Sequence, residues 1–241
     1  MKSKVLLLIF LNLFFGFTLS SAQEKLRISA IEGTPLTKLC KQILPEAYQR
    51  IGIQISVEEY PASRALHYSN SGKVDGELMR IAGIEKKHPN LIRIPVSYVS
   101  FQGVVFSKKE LDFPVKGWSS LKPYKIGILR GVKYSETGTK GMRIQIVDRH
   151  TQLVKLLDYG RIDIIVMTRL NGLNAFRQAN VRNFKILEPP LVRMPLFHYL
   201  HIKNQHLVPK ITDSLREMRK EGRFQTIYEK FEEALSSAVE S

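Results

Sequence analysis

Two stretches decide the fold: PASRALHYSNSGKVDGELMR at 61–80 and DRHTQLVKLLDYGRIDIIVMTR at 148–169. Each runs as a helix-patterned segment, a glycine, a basic residue, a β-branched residue, an aspartate, a strand and then an arginine. Gly72-Lys73-Val74-Asp75 precedes Gly160-Arg161-Ile162-Asp163 by 88 positions. A glycine suits the left-handed residue that ends a helix. The two aspartates open their strands. Open α/β sheets take ligands outside the carboxyl ends of their strands, so these aspartates sit at the wrong end and read as structural. The carboxyl ends carry Met79-Arg80 and Thr168-Arg169. Two similar α/β halves with facing carboxyl edges define two lobes and one cleft, a favoured small-molecule site.

Working outward, strand patterns fall at 26–31, 53–60, 74–80, 104–107, 125–130, 143–147, 162–168, 184–187 and 196–203. Helical spacing separates most of them, and 207–235 reads as helix with a break at Gly222. Strands alternating with helices argue for α/β with largely parallel sheets. In the first helix Leu36, Leu39, Cys40, Ile43, Leu44 and Ala47 share one face, so Cys40 reads as a small core residue. As the only cysteine, it leaves the fold without an internal disulfide, and the core must hold it alone.

The chain opens MKSKVLLLIFLNLFFGFTLSSAQEK. Lys2 and Lys4, the apolar run 5–19 and the small residues Ser20-Ser21-Ala22 read as a secretory signal peptide at 1–22, cleaved before Gln23. The apolar run is shorter than the ~20 residues a spanning helix needs. The mature chain is therefore expected to be soluble, exported to the periplasm and monomeric. The formal net charge is +15. A basic excess suits nucleic acid, an anionic membrane or an acidic ligand. Lys and Arg are scattered rather than concentrated, and an exported chain does not meet nucleic acid.

The order of these segments resembles the family 3 extracellular solute-binding proteins, the polar amino-acid receptors of ABC importers. The carriers are LRISAIEGTP, SGKVDGELMRIAGIEKKHPNLIRIPVSY, SSLKPYKIGILRG, LVKLLDYGRIDIIVMT and the closing LREMRKEGRFQTIYEKF. The resemblance implies a two-lobed periplasmic-binding-protein fold of type II, each lobe a mostly parallel sheet flanked by helices. Lobe 1 would comprise 23–100 plus 201–241 and lobe 2 would comprise 101–200. Two crossings, at 101–103 and 199–201, would form the hinge, and the lobes would close on ligand.

Family binding positions carry over one at a time. Hydroxyl residues after the "VD" strand fall on Met79, Arg80 and Ala82. The arginine that grips the ligand α-carboxylate falls on Lys87, or on Lys86 with a slip of one. The backbone carboxylate cradle falls on Gly131-Val132-Lys133, preceded by Arg130. The aspartate for the α-amino group falls on Thr168. Losing that aspartate while gaining Arg80, Arg130 and Lys133 favours a ligand with an acidic group, since helix N-termini and arginine forks suit anions. Glu32 either binds ligand or pairs with Arg80. Glu77, inside an apolar strand, needs a partner if buried; strict alternation places it on the face opposite Arg80. Tyr60 and Tyr98 are candidate pocket walls, Arg64 faces cleft or solvent, and Trp118 reads as a packing anchor.

No HExxH, CxxC, P-loop or G-x-S-x-G is present. His198 and His201, three apart on a strand, face opposite sides and make a poor metal pair. No cofactor, metal or catalytic residue is expected, although dehydratases of this superfamily place a carboxylate such as Glu32 or Glu77 in the same cleft. The expected partners are a small ligand, an amino acid or organic acid, and a membrane permease; a signalling partner is the alternative.

Overall fold

The computed structural model describes residues 25–240. The signal-peptide reading lies outside the described residues. In chain order the elements are β1 (Lys25–Ile31), α1 (Pro35–Gln49), β2 (Gln54–Tyr60), α2 (Ala62–Asn70), β3 (Gly76–Ile81) and β4 (Leu91–Ser107). β5 (Ile126–Leu129), α3 (Lys133–Gly138), β6 (Ile144–Val147), α4 (His150–Asp158), β7 (Ile164–Thr168) and α5 (Arg169–Ala179) follow. β8 (Lys185–His201), α6 (Val208–Lys220) and α7 (Arg223–Glu240) complete the order.

The strands hydrogen-bond in the order β2-β1-β3-β8-β4-β7-β5-β6. β1 pairs parallel with β2 and β3 at one end, and β5 pairs parallel with β6 and β7 at the other. The repeat read from the sequence is thus two copies of one unit. In each copy the aspartate fastens the neighbouring strand. Asp75 N–H donates to Arg27 O and its Oδ2 accepts from Arg27 N–H, both at 2.7 Å. Asp163 N–H donates to Lys125 O at 2.9 Å and its Oδ2 accepts from Lys125 N–H at 2.7 Å. Gly72 and Gly160 have φ of +75° and +65°, the left-handed geometry that glycine adopts freely.

The two copies meet through two long antiparallel strands. β4 and β8 are 17 residues each and run through both halves. Sequence patterning found only their ends; Pro95, Pro189, Pro190 and Pro195 interrupt the alternation between them. Pro95 and the Pro189-Pro190 pair instead fall where the register shifts, between Arg93 and Ser97 and opposite Gly103/Val105. Bulges accommodate a residue without an N–H. Phe101, Gln102 and Gly103 pair with Met194, Arg193 and Val192. Tyr199 and Leu200 pair instead with Arg93 and Ile92, next to β3. The residues opposite the crossing expected at 101–103 are thus 192–194 rather than 199–201.

One core joins α1, β1, β3, β4 and α6 through Ile28, Leu39, Cys40, Leu44, Leu78, Ile94 and Ile211. Cys40 is fully buried, as its helical face requires. Two more clusters cover the faces of the other half, one around Phe106, Phe176 and Leu153 and one around Ile126, Ile128 and Val166. Leu170 and Leu173 of α5 join the first core, so α5 bridges the halves.

Candidate functional site

A cavity of about 240 Å³ opens where the carboxyl ends of β1, β3 and β7 meet the hinge. Ile31 and Met79 close it from the ends of β1 and β3, with Thr34 and Leu36 from the start of α1. Thr168, Arg169, Leu170 and Asn171 face it from the β7–α5 junction, Ser100, Phe101 and Gln102 from the hinge, and Tyr228 from α7. α5 begins on the residue after β7 ends, so four consecutive residues present themselves at one sheet edge. The carboxyl-edge rule pointed to Met79-Arg80 and Thr168-Arg169; Met79, Thr168 and Arg169 line the cavity and Arg80 does not.

Arg169 is the cation of this lining. Its guanidinium donates to Gln102 Oε1 at 3.1 Å and Glu232 Oε1 at 3.2 Å, and it also pairs with Glu188. Its side chain is 14% exposed. The contact to Glu232 ties the start of α5 to α7 across the cleft. Arginine is suited to this because its planar fork reaches several acceptors at once.

Of the eight binding candidates, Thr168 lines the cavity and the other seven do not. Arg80 donates to Glu77 Oε1 at 2.7 Å and to Ala62 O at 2.8 Å. Glu77 is fully buried, and Ser29 donates to its Oε2 at 2.6 Å. Alternation had put these side chains on opposite faces; a register shift between Glu77 and Arg80 rotates the strand and brings them together. Burial raises the Glu77 carboxyl above its ordinary pKa, against the pull of Arg80. Glu77 is a structural ion-pair partner, and Arg80 pairs with it rather than with Glu32. Glu32 is exposed, its backbone N–H donating to Tyr60 O at 3.0 Å. Tyr60 donates to Glu58, which also binds Arg27 in a surface cluster. Lys87 is exposed, just past the turn Ile84–Lys86. Tyr98 is a core side chain whose hydroxyl donates to Leu78 O at 2.8 Å. It borders a separate hollow of about 330 Å³ behind the hinge.

The carboxylate cradle expected at 130–133 is not gathered around the cavity. Arg130 pairs with Asp148 at 2.8 Å with its side chain 65% exposed. Lys133 pairs with Glu136 at 3.3 Å. α3 is only six residues long, and Glu136 already caps Gly131 N–H at 2.7 Å. Each cation invoked for an acidic ligand thus has its own carboxylate. Patterning missed Thr34, Ser100, Gln102, Asn171 and Tyr228. A helix start and a strand interior give no motif, and Tyr228 reaches the cavity from a helix 127 positions after Phe101.

Behind β3, His198 is buried between Tyr48 and the Glu77 backbone. Nδ1 lies 2.8 Å from Glu77 O and therefore donates; Nε2, 2.8 Å from Tyr48 Oη, accepts its proton. The ring is a neutral structural link, and burial lowers its pKa to about 4 from 6.5. A depressed histidine stabilises the fold above pH 6.5, and that contribution is lost as pH falls towards 4. At ~1.4 kcal/mol per pKa unit, His198 accounts for about 3 kcal/mol between those limits. Urea unfolding of the native chain is expected to show this loss, and His198→Gln to flatten the pH 4–6.5 part of the curve. Parallel curves for the two proteins would refute the assignment.

A sheet shared by two α/β halves through two crossing strands, with a cleft at their carboxyl edges, is the fold of the two-lobed solute-binding proteins. The resemblance to the family 3 receptors is borne out by proteins similar to this chain. An uncharacterized protein of Shewanella oneidensis is 27% identical over 242 residues, covering 90% of each chain. The L-cystine-binding protein TcyJ of Escherichia coli is 24% identical over 187 residues, 76% of this chain and 69% of its own. Substrate-binding domain 2 of Lactococcus lactis GlnP, solved in an open conformation, superposes with a TM-score of 0.69. It is 17% identical, and the match covers 87% of this chain and 96% of that domain. No family model matches the chain.

Proposed function

We propose that this chain is an extracytoplasmic solute-binding protein that encloses one amino acid between its lobes and delivers it to an ABC importer. The observation that carries this reading is the cavity at the carboxyl edges of both halves, spanned by only two strands. Lobe 1 is residues 25–101 with 194–240 and lobe 2 is 102–193. Closure is a rotation about 101–103 and 192–194. The L-cystine named for one relative supports an amino acid. The basic surplus had favoured an acidic solute, but Arg80, Arg130 and Lys133 already hold carboxylates. The cavity lining is otherwise neutral, with Arg169 as its cation. Arg169 also holds Glu188 and Glu232, so it would take a ligand α-carboxylate only by exchanging one of them on closure, leaving the released carboxylate for the ammonium. Thr168 and Asn171 would supply neutral hydrogen bonds.

Isothermal titration against the twenty amino acids, cystine and a set of dicarboxylic acids tests this. One-to-one binding of an amino acid, with a smaller radius of gyration in solution scattering on saturation, is the expected outcome. Heat with dicarboxylic acids alone would restore the acidic reading, and heat with none would overturn solute capture.

A further inference from the structure

Lys and Arg are scattered along the sequence, but the fold gathers them. Residues 102–193 hold 17 Lys and Arg against 7 Asp and Glu, a surplus of ten. Residues 25–101 and 194–240 hold 18 against 14, a surplus of four. The strand register shows where the larger surplus stands. Lys185, Ser107, Ile164, Ile126 and Ile144 pair neighbour to neighbour, one on each of β8, β4, β7, β5 and β6. This row marks the sheet edge opposite the cleft, since Thr168 at the other end of β7 lines the cavity.

Eight Lys and Arg lie within four residues outward of the row, against two acids, Glu110 and Asp163. Lys109, Lys122, Lys125, Arg143 and Arg161 are exposed. None of these five has an ion-pair partner among the described residues. The two acids are already engaged: Asp163 accepts from Lys125 N–H at 2.7 Å and Glu110 from Asn183 Nδ2 at 3.0 Å. Lys185 itself pairs with Asp112 at 3.0 Å. Two large apolar side chains join the cations. Tyr159, 72% exposed, caps α4 at this edge, and Ile144, 39% exposed, stands in the row.

The breadth of the edge and its residue types define the partner. Four strand spacings of ~4.8 Å make it about 20 Å wide. The cations come from separate loops along that width, so a small anion would meet only one or two of them. Five of the eight are lysines. Protein–protein interfaces are depleted in lysine. Lysines beside an exposed tyrosine suit a layer of anionic headgroups, which attracts the charge while the ring settles at headgroup depth.

We propose that this edge is a docking surface for an anionic phospholipid bilayer. Docked there, the protein keeps its cleft, at the opposite edge of the same strands, open to solution. This docking is independent of which solute the cleft takes.

The test is flotation of the chain from Gln23, which carries every described element and omits the apolar run at 5–19. The vesicles are phosphatidylcholine alone or with roughly one-third phosphatidylglycerol. Binding to the anionic vesicles at least tenfold above the neutral ones, and lost in high salt, is the expected result. Lys109→Glu/Lys122→Glu/Lys125→Glu is expected to cut it tenfold or more. Lys210→Glu/Lys220→Glu/Lys230→Glu changes net charge equally from exposed positions of α6 and α7 and should cost less than threefold. Both triple variants are expected to keep the parent's melting temperature. Tyr159→Ser is expected to weaken binding at least threefold. Equal losses in the two triple variants would reduce the effect to net charge and overturn the edge. Unchanged binding by Tyr159→Ser, or retention on heparin with no binding to vesicles, would overturn the bilayer as occupant. None of these failures would touch the cleft reading, which titration with solute decides.

Discussion

Replacing Arg80 with methionine is expected to destabilise the protein by about 3–5 kcal/mol, because it leaves the fully buried Glu77 carboxylate without its cation. In a chain of this size that lowers the melting temperature by roughly 10 °C. Three further expectations follow from the geometry. Glu77→Gln in the same background recovers much of the loss, since a neutral amide can keep the Ser29 hydroxyl as a partner. The deficit of Arg80→Met is smaller at pH 5 than at pH 8. Burial already raises the Glu77 pKa; without Arg80 it rises further, so acid neutralises the carboxyl and alkali imposes the full penalty. Affinity for solute, measured well below the melting temperature, changes less than twofold. Calorimetric unfolding across pH and one titration decide the matter. A variant that keeps its stability and loses binding would return Arg80 to the cleft.

The second large effect is expected at Gly172. This glycine faces Phe106 across the α5–β4 contact, and an added Cβ would stand 2.0 Å from the ring. The ring is fully buried and packed against Phe176 and Phe184, so it has nowhere to retreat. In an exposed helix glycine-to-alanine stabilises by about 1 kcal/mol. Here Gly172→Ala is expected to do the opposite, with a net loss of about 1–3 kcal/mol from overpacking. Gly172→Val adds still more bulk at the same contact. The helix must lift, and Thr168, Arg169 and Asn171 move with it. Solute affinity therefore falls together with stability, unlike the Arg80 case. Phe106→Leu combined with Gly172→Ala should recover part of both. A Gly172→Ala protein that is more stable than its parent would show that the contact gives way freely.

These two sites mark what the sequence makes legible. The Gly-basic-β-branched-Asp units announced two like halves, and both aspartates fasten a neighbouring backbone as their position at the strand starts implies. The carboxyl-edge rule pointed to Met79-Arg80 and Thr168-Arg169 from topology alone, and three of those four residues line the cavity. The Glu77–Arg80 contact was misread because a bulge breaks strict alternation, and a bulge leaves no mark in the order of residues. The cations at 130 and 133 were credited to the cleft because charge is visible in a sequence while its nearest carboxylate is not. Asp148 lies 18 positions from Arg130 and meets it only through the pairing of β5 with β6. Gln102 was placed in a crossing but not in the cavity, because its partner strand β8 was read only at its ends and Arg193 opposite it went unassigned.

Those two strands have a mechanical side. A hydrogen-bonded ribbon twists far more readily than it stretches or shears. The closure proposed above would then be a change of pitch along a ladder that stays zipped, with no segment of chain set free. Strain entering at one end of the sheet is carried to the other by the same rungs. The lobes are accordingly expected to melt together, as a single calorimetric event rather than two.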